Sequence, residues 1–304
     1  MQYDIIIIGA GPAGLTAGVY CARKKLKTLV VSKDIGGQAT LSSDVDNYLG
    51  YHLITGVELV QKFEEHVREF DIKLEIGVET RNIKKINDGF EVSTENENYQ
   101  GKAVIITSGK LPRMLNIPGE KEFLGRGVTY CATCDAPLFP KKDVAVIGGG
   151  NSALDAAIQL TKIANKIYLI NINPTLIGDE IMQEKITAAS NVEVLNNTET
   201  KKISGNVFVE EIEVLDKNSK QQKKLKVQGI FIEIGSIPST SFVKDMVKTN
   251  ELGEIKIDSR NMTNIEGIFA AGDVTDVIEK QIIIAAGEGS KAALAAYEYL
   301  VKRR

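Results

Sequence analysis

Two copies of one glycine pattern, set more than a hundred residues apart, constrain this chain more than any other feature. The first, Gly9-Ala10-Gly11-Pro12-Ala13-Gly14, follows the apolar run Tyr3 to Ile8 and precedes Leu15 to Lys24, a stretch with small residues on one helical face. Strand, glycine turn and helix begin a βαβ unit, and Leu29 to Val31 supplies its second strand. A run as continuously apolar as Ile5-Ile6-Ile7-Ile8 suits a parallel sheet covered on both faces. The spacing has a physical logic. Gly9 permits the tight turn, Gly11 lets a diphosphate approach the backbone, and Gly14 lets the helix pack against the strand. The diphosphate then meets a helix N-terminus, where free N–H groups and the dipole favour negative charge. Ordinary glycine-rich turns can show the same spacing, so the context carries the weight. The acid expected after the second strand, to hold ribose hydroxyls, is missing: Ser32-Lys33 stands there.

The rhythm restarts downstream. Val144 to Ile147 reads as a strand, Gly148-Gly149-Gly150 as the turn, Ser152 to Ile163 as a helix and Ile167 to Ile170 as the next strand, and Gly148-Gly149-Gly150-Asn151-Ser152-Ala153 repeats the motif with alanine at its third position. Two such starts in 304 residues predict an α/β chain with two nucleotide-binding domains. One site can hold FAD and the other a pyridine dinucleotide. An NADP site needs arginines after the second strand to meet the 2′-phosphate. Asn171-Ile172-Asn173-Pro174-Thr175 carries no basic residue, nor does the chain through Ile177, so NADH is favoured over NADPH and Asn171 is the candidate ribose contact.

Between these motifs lies Cys131-Ala132-Thr133-Cys134-Asp135. A C-x-x-C spacing lets two sulfurs close a small ring, and the adjacent Asp135 can move the protons that making or breaking a disulfide requires. A structural zinc needs four ligands, and only Cys21, His52 and His66 remain as further candidates. Cys21 reads as a small core residue and both histidines as surface or fold-supporting positions. Three cysteines do not make a secreted disulfide scaffold, so a cytoplasmic setting is expected. No apolar run approaches the ~18–20 residues that span a bilayer. A net charge of −3 gives no electrostatic reason to expect nucleic acid or a membrane as partner.

Other segments read more simply. Phe90 to Thr94 and Ala103 to Thr107 are short strands, and Glu210 to Leu215 pairs with Leu225 to Ile234 around the charged tip Lys217 to Lys223. Gly267 to Asp273 precedes a helix from Ile282 to Leu300, with Leu294, Tyr297 and Val301 as its apolar stripe. Domain joins are expected near Arg113 and Ser239.

With two glycine motifs, the Cys-Ala-Thr-Cys-Asp segment and the terminal Ala-Gly-Asp, the chain resembles the low-molecular-weight thioredoxin reductase family over essentially its whole length. Further matches are Gly36-Gly37-Gln38, Asp46-Asn47-Tyr48, Thr107-Ser108-Gly109, Gly272-Asp273 and Lys280-Gln281-Ile282. The resemblance implies that these regions contact FAD, with Asn47, Gln281 and Ile282 near the flavin ring and Asp273 on the ribityl–diphosphate side. The family commonly lacks the ribose-binding acid, which makes Ser32 less anomalous. It usually carries a His-Arg-Arg-x-x-x-Arg run for NADPH, and Asn171 to Ile177 departs from that. In this respect, and in Lys280 to Gly289, the chain is closer to the flavoprotein subunit of alkyl hydroperoxide reductase without its thioredoxin-like domain. The thiol carrier, a thioredoxin-like or glutaredoxin-like protein, is therefore expected to be separate.

The implied fold is two Rossmann-like, three-layer β/β/α domains: a discontinuous FAD domain, 1–113 and 240–304, and a nucleotide domain, 114–239, holding the cysteines. The resemblance further implies a homodimer, a rotation between the domains, Cys134 nearer the flavin and Asp135 as the proton carrier. Rival readings are a reductase fed by another donor such as reduced ferredoxin, and a dithiol oxidase. A non-catalytic nucleotide-binding protein is argued against by the intact cysteine pair with its adjacent acid.

Overall fold

The computed structural model describes residues 2–42, 45 and 47–303. The chain runs first through β1 (Gln2–Ala10), α1 (Pro12–Arg23), β2 (Thr28–Ile35), α2 (Gly56–Arg68), β3 (Ile72–Ile76), β4 (Thr80–Ile86), β5 (Gly89–Thr94), β6 (Asn98–Ile106) and β7 (Lys110–Pro112). It continues through β8 (Val128–Thr129), α3 (Ala132–Asp135), β9 (Asp143–Ile147), α4 (Asn151–Thr161), β10 (Lys166–Ile170), α5 (Glu180–Ala188) and β11 (Val192–Leu195). Then come β12 (Thr198–Gly205), β13 (Val209–Asp216), β14 (Gln222–Lys226), β15 (Gly229–Ile232), β16 (Ser236–Pro238), β17 (Ile268–Ala270) and α6 (Ile282–Val301). Two compact units result: Met1–Leu41, Asp46–Leu111 and Ile237–Arg304 form one, and Ser42–Val45 with Pro112–Ser236 the other. The chain crosses between them within β7 and β16, which pair with each other.

In the first unit β3, β2, β1, β6 and β17 run parallel, and β4 and β5 join antiparallel on β6. The apolar run of β1 is buried on both faces. Ile5 and Ile7 pack in the core shared with α1 and α6, while Ile6 and Ile8 pack in the core shared with Phe90, Val92 and Tyr99. Each such side chain contributes about 1.5–3 kcal/mol of burial, which explains why no polar residue interrupts the run.

The second unit repeats the plan. Its parallel sheet has the order β11-β10-β9-β15-β8, with a separate antiparallel sheet β12-β13-β14. Val144 and Val146 of β9 face the helices and Ala145 and Ile147 face the other layer. Both units are therefore three-layer β/β/α Rossmann-like folds. Among the described residues, no helix is long and apolar enough to cross a membrane.

Two sequence expectations need correction. Leu225 to Ile234 is not one strand: β14 pairs with β13, whereas β15 inserts beside β9 in the other sheet. Val227 is fully buried and Gly229 has no room for a Cβ, which would overlap the Phe139 ring, so the chain changes layer between them. In α6, the expected apolar stripe is only partly right: Tyr297 packs against the core, but Leu294 and Val301 are 39% and 45% exposed, and the buried face is Ala285, Ala286, Gly289, Ala292, Ala293 and Ala296. Small residues are required there because α6 lies against α1 closely enough that a Cβ on Gly289 would overlap the Ala13 carbonyl.

Candidate functional site

In the first unit the glycine turn is built by backbone contact. Gly9 has φ +109°, and a Cβ on it would overlap the Thr107 carbonyl. A Cβ on Gly14 would overlap the Gly9 carbonyl. Gly11 differs, since its Cβ would find only the Gly36 oxygen at 3.9 Å. The helix that starts there has no side-chain cap, Pro12 in its first turn and no acidic residue, so its N-terminal N–H groups face the opening above Gly11.

Ser32, Gly36 and Gly272 touch this turn or its helix start, and other matched segments pair with one another. Ser32 Oγ accepts the Ala10 N–H at 3.0 Å, so it joins the strand ends. Gly36 N–H donates to the Ala10 carbonyl at 2.8 Å, and Asp34 accepts the Gly37 N–H at 3.1 Å. Gln38 Nε2 donates to the Lys110 carbonyl at 2.6 Å, and Asn47 Nδ2 to Gln281 Oε1 at 3.1 Å. Gln281 precedes the first residue of α6, Ile282. Gly109 takes φ +66° with open space on its Cβ side. Gly272 lies against Ala13, which a Cβ would approach to 3.1 Å. Asp46 lies outside the described residues.

The next residue, Asp273, is partly buried, and burial raises its carboxyl above the ordinary range against the opposing pull of Lys110 and Lys280. No hydrogen bond among the described residues reaches its side chain. Lys280 Nζ pairs with Glu254 at 3.0 Å. An open Cβ position at Gly11, an uncapped helix and a carboxylate held ready beside two lysines suit the diphosphate and polyhydroxyl chain of FAD.

The second unit carries the other glycine turn. A Cβ on Gly148 would overlap the Glu233 carbonyl and crowd Ala153, whereas a Cβ on Gly150 would meet nothing within 4 Å. The helix starting at Asn151 has no side-chain cap, and Ser152 is exposed on its first turn. Asn151 Oδ1 accepts the Asp179 N–H at 2.8 Å. This opening suits a second dinucleotide.

Asn171 does not present its side chain there. It is 1% exposed, and its amide donates to the Asn173 and Thr175 carbonyls and to Asn196 Oδ1 while accepting the Asn173 N–H. It shapes the loop and leaves Ile172, Asn173, Pro174 and Thr175 outward. A cation invisible in local sequence lies close by: Lys217 Nζ donates to the Ile172 carbonyl at 3.4 Å.

In the same unit Cys131 and Cys134 are joined as a disulfide, with Cα atoms 5.3 Å apart. Cys131 caps the short turn α3, its Sγ accepting the Cys134 N–H at 3.3 Å. Asp135 is 4% exposed. Thr129 Oγ1 donates to Asp135 Oδ2 and accepts the Cys131 N–H. Glu233 Oε1 accepts the Ala132 N–H at 3.2 Å. Sequence reasoning missed both Thr129 and Glu233. An acid closing the apolar run Gly229-Ile-Phe-Ile232 was the available signal for the latter. Cys21 is buried in the core of the other unit, and burial pushes its thiol up to about 12.

Residues 3–289 match the pyridine nucleotide-disulphide oxidoreductase family. The chain is similar to a component of the alkyl hydroperoxide reductase of Staphylococcus aureus, with 42% identity over 301 residues covering 99% of this chain and 59% of that protein. It is similar to a Bacillus subtilis protein named NADH dehydrogenase, with 40% identity and the same shares. The chain thus spans about three-fifths of the length of the curated relatives it matches. Among solved structures, the thioredoxin reductase of Streptococcus pyogenes aligns with TM-score 0.94, 36% identity and 99% of each chain covered.

Proposed function

The chain belongs to the pyridine nucleotide-disulphide oxidoreductase family, and from that premise we propose that it is an FAD-dependent disulfide reductase passing electrons from NADH to a thioredoxin-like or glutaredoxin-like protein. The observation that carries the reading is the Cys131–Cys134 disulfide with Asp135 held beside it by Thr129. FAD, when bound, would supply a two-electron carrier between nicotinamide and sulfur. In the first unit Gly11 and the start of α1 would hold its diphosphate, and Asp273, Gly36, Gly37, Gln38, Gly109 and Lys280 would line the rest. Asn47, Gln281 and Ile282 would stand at the ring.

The chain's own residues then manage protons and sulfur. Opening the disulfide needs an acid, and closing it again needs a base. Asp135 Oδ2 is the atom that would carry the proton, oriented by the Thr129 hydroxyl. The Cys134 N–H would stabilise a thiolate on Cys131. The dithiol would then reduce a partner disulfide by exchange.

NADH is preferred in this reading because the loop after β10 presents Ile172, Asn173 and Thr175 where a 2′-phosphate would need arginines. The name of the Bacillus subtilis relative, NADH dehydrogenase, agrees with that choice. The protein would work as a homodimer in the cytoplasm.

Anaerobic titration tests the proposal. One equivalent of NADH should bleach the flavin transiently and release two thiols that were absent before. Thiols that stay oxidised while the flavin bleaches would remove the cysteines from the path.

A further inference from the structure

The residue that follows strand β15 is an acid. Glu233 is fixed from both sides: its backbone N–H donates to the Ile147 carbonyl at 2.8 Å, and its own carbonyl lies against Gly148. Its carboxylate turns toward the cysteines, and Oε1 accepts the Ala132 N–H at 3.2 Å. Ala132 is the first residue of the turn that links Cys131 to Cys134. Two carboxylates therefore engage the turn, Asp135 through the Thr129 hydroxyl and Glu233 on the Ala132 amide. Asp135 already has a task in the proposed function, and Glu233 has none.

We propose that Glu233 is a positioning residue whose negative charge lowers the reduction potential of the Cys131–Cys134 pair. The inference rests on reading that pair as the redox centre. Reduction breaks one S–S bond with two electrons. Above the thiol pKa the product takes up one proton and is one thiol plus one thiolate; below it, two protons enter and both sulfurs end as thiols. The disulfide is neutral, so a nearby carboxylate raises the energy of the thiolate form alone. The N–H groups at the start of the turn favour a thiolate on Cys131, and Glu233 opposes them at the first of those groups. The dithiol is thereby kept strongly reducing toward a partner disulfide.

The test compares holoenzyme carrying wild-type Glu233, Glu233→Gln or Glu233→Asp, equilibrated with mixtures of reduced and oxidised dithiothreitol. Acid quenching and maleimide labelling then count free thiols. Glutamine still accepts the Ala132 N–H but carries no charge. At about pH 9, above the ordinary thiol pKa, Glu233→Gln should favour the dithiol about tenfold over wild type, a rise of about 30 mV. At a pH low enough that both thiols are protonated, the difference should fall below about twofold. Glu233→Asp keeps the charge and should follow wild type within about threefold at both values. Asp135 also engages the turn through Thr129, and Glu120 accepts the hydroxyl of Tyr130, the residue before Cys131. Both are unchanged in all three proteins.

Equal potentials for Glu233→Gln and wild type at high pH would overturn the proposal. So would a shift of the same size at both pH values, or an aspartate that behaves like the glutamine. Should the amide fail to fold, Glu233→Ala, also neutral, makes the same comparison with the same two outcomes. Dithiothreitol reduces the sulfurs directly. A pair that NADH could not reduce would count against the reductase reading without altering this result.

Discussion

The Thr129 hydroxyl donates to the buried Asp135 carboxylate while accepting the Cys131 N–H, so one side chain orients the acid and anchors the first cysteine together. Local sequence pairs Asp135 with Cys134, but geometry ties it to Thr129. Replacing Asp135 by Asn, or Thr129 by Val, should slow disulfide reduction by about 10²-fold or more while sparing NADH-dependent dye reduction, since general acid–base catalysis contributes about 10²–10⁴. Stopped-flow reduction of a protein disulfide checks this. Equal losses in both assays would mean that the change is not confined to the proton step.

Gly11 and Gly14 separate ligand binding from folding. A Cβ on Gly14 would overlap the Gly9 carbonyl, so Gly14→Ala should yield little folded protein. A Cβ on Gly11 has open space, so Gly11→Ala should fold and lose FAD affinity about tenfold or more, by obstructing the approach to the helix N-terminus. Far-ultraviolet circular dichroism with flavin content of the purified variants distinguishes the two effects.

Under the proposed function, Asp273 contributes to FAD binding at a cost to apoprotein stability. Burial raises its folded-state pKa, so in the apoprotein its contribution to stability is full below the unfolded value and is lost as pH rises through the raised one. Once ionised, the group opposes folding. Asp273→Asn should therefore raise the melting temperature of the apoprotein at pH 7 relative to pH 4, and weaken FAD binding. Thermal melts of apoprotein at both values, with an FAD titration, measure both halves.

Cofactor choice should respond to two positions. Ile172→Arg supplies a cation at the outward loop and should raise kcat/KM for NADPH by about tenfold or more. Lys217, which reaches the Ile172 carbonyl, is the cation already near that loop, so Lys217→Ala should lower whatever NADPH activity the wild type has and leave NADH activity within about twofold. Steady-state kinetics with each nucleotide decide both.

The two βαβ starts were legible because their signals are local. A glycine turn must lie between strand and helix, and Ile5 to Ile8 or Val144 to Ile147 must be apolar on both faces. Elements with weaker local signals were not legible: α2, β3 and β12 are amphipathic or mixed and gain their faces only from neighbours. The split between β14 and β15 was hidden because Leu225 to Ile234 is apolar enough for one strand, and only the packing of Val227 and Gly229 forces the change of layer. In α6, alanines form the buried face because the distance to α1 excludes larger residues, which a hydrophobicity pattern cannot register.

At the candidate site, residues close to a motif were identified and distant ones were not. Cys131, Cys134 and Asp135 lie in one segment. Glu233 reaches their turn from just past β15, about a hundred residues later, and Lys217 reaches the loop after β10 from the end of β13 in a different sheet. Asn171 shows the reverse limit. Its place after β10 was legible, but its side-chain amide closes its own loop instead of facing outward.

The most direct test of the account is a paired assay of wild type and Cys134→Ser. The variant should retain NADH-driven dye reduction within about threefold and lose protein-disulfide reduction by about 10³-fold or more, because one sulfur cannot complete the exchange. Retention of disulfide reduction by Cys134→Ser would contradict the claim that electrons leave through the Cys131–Cys134 pair.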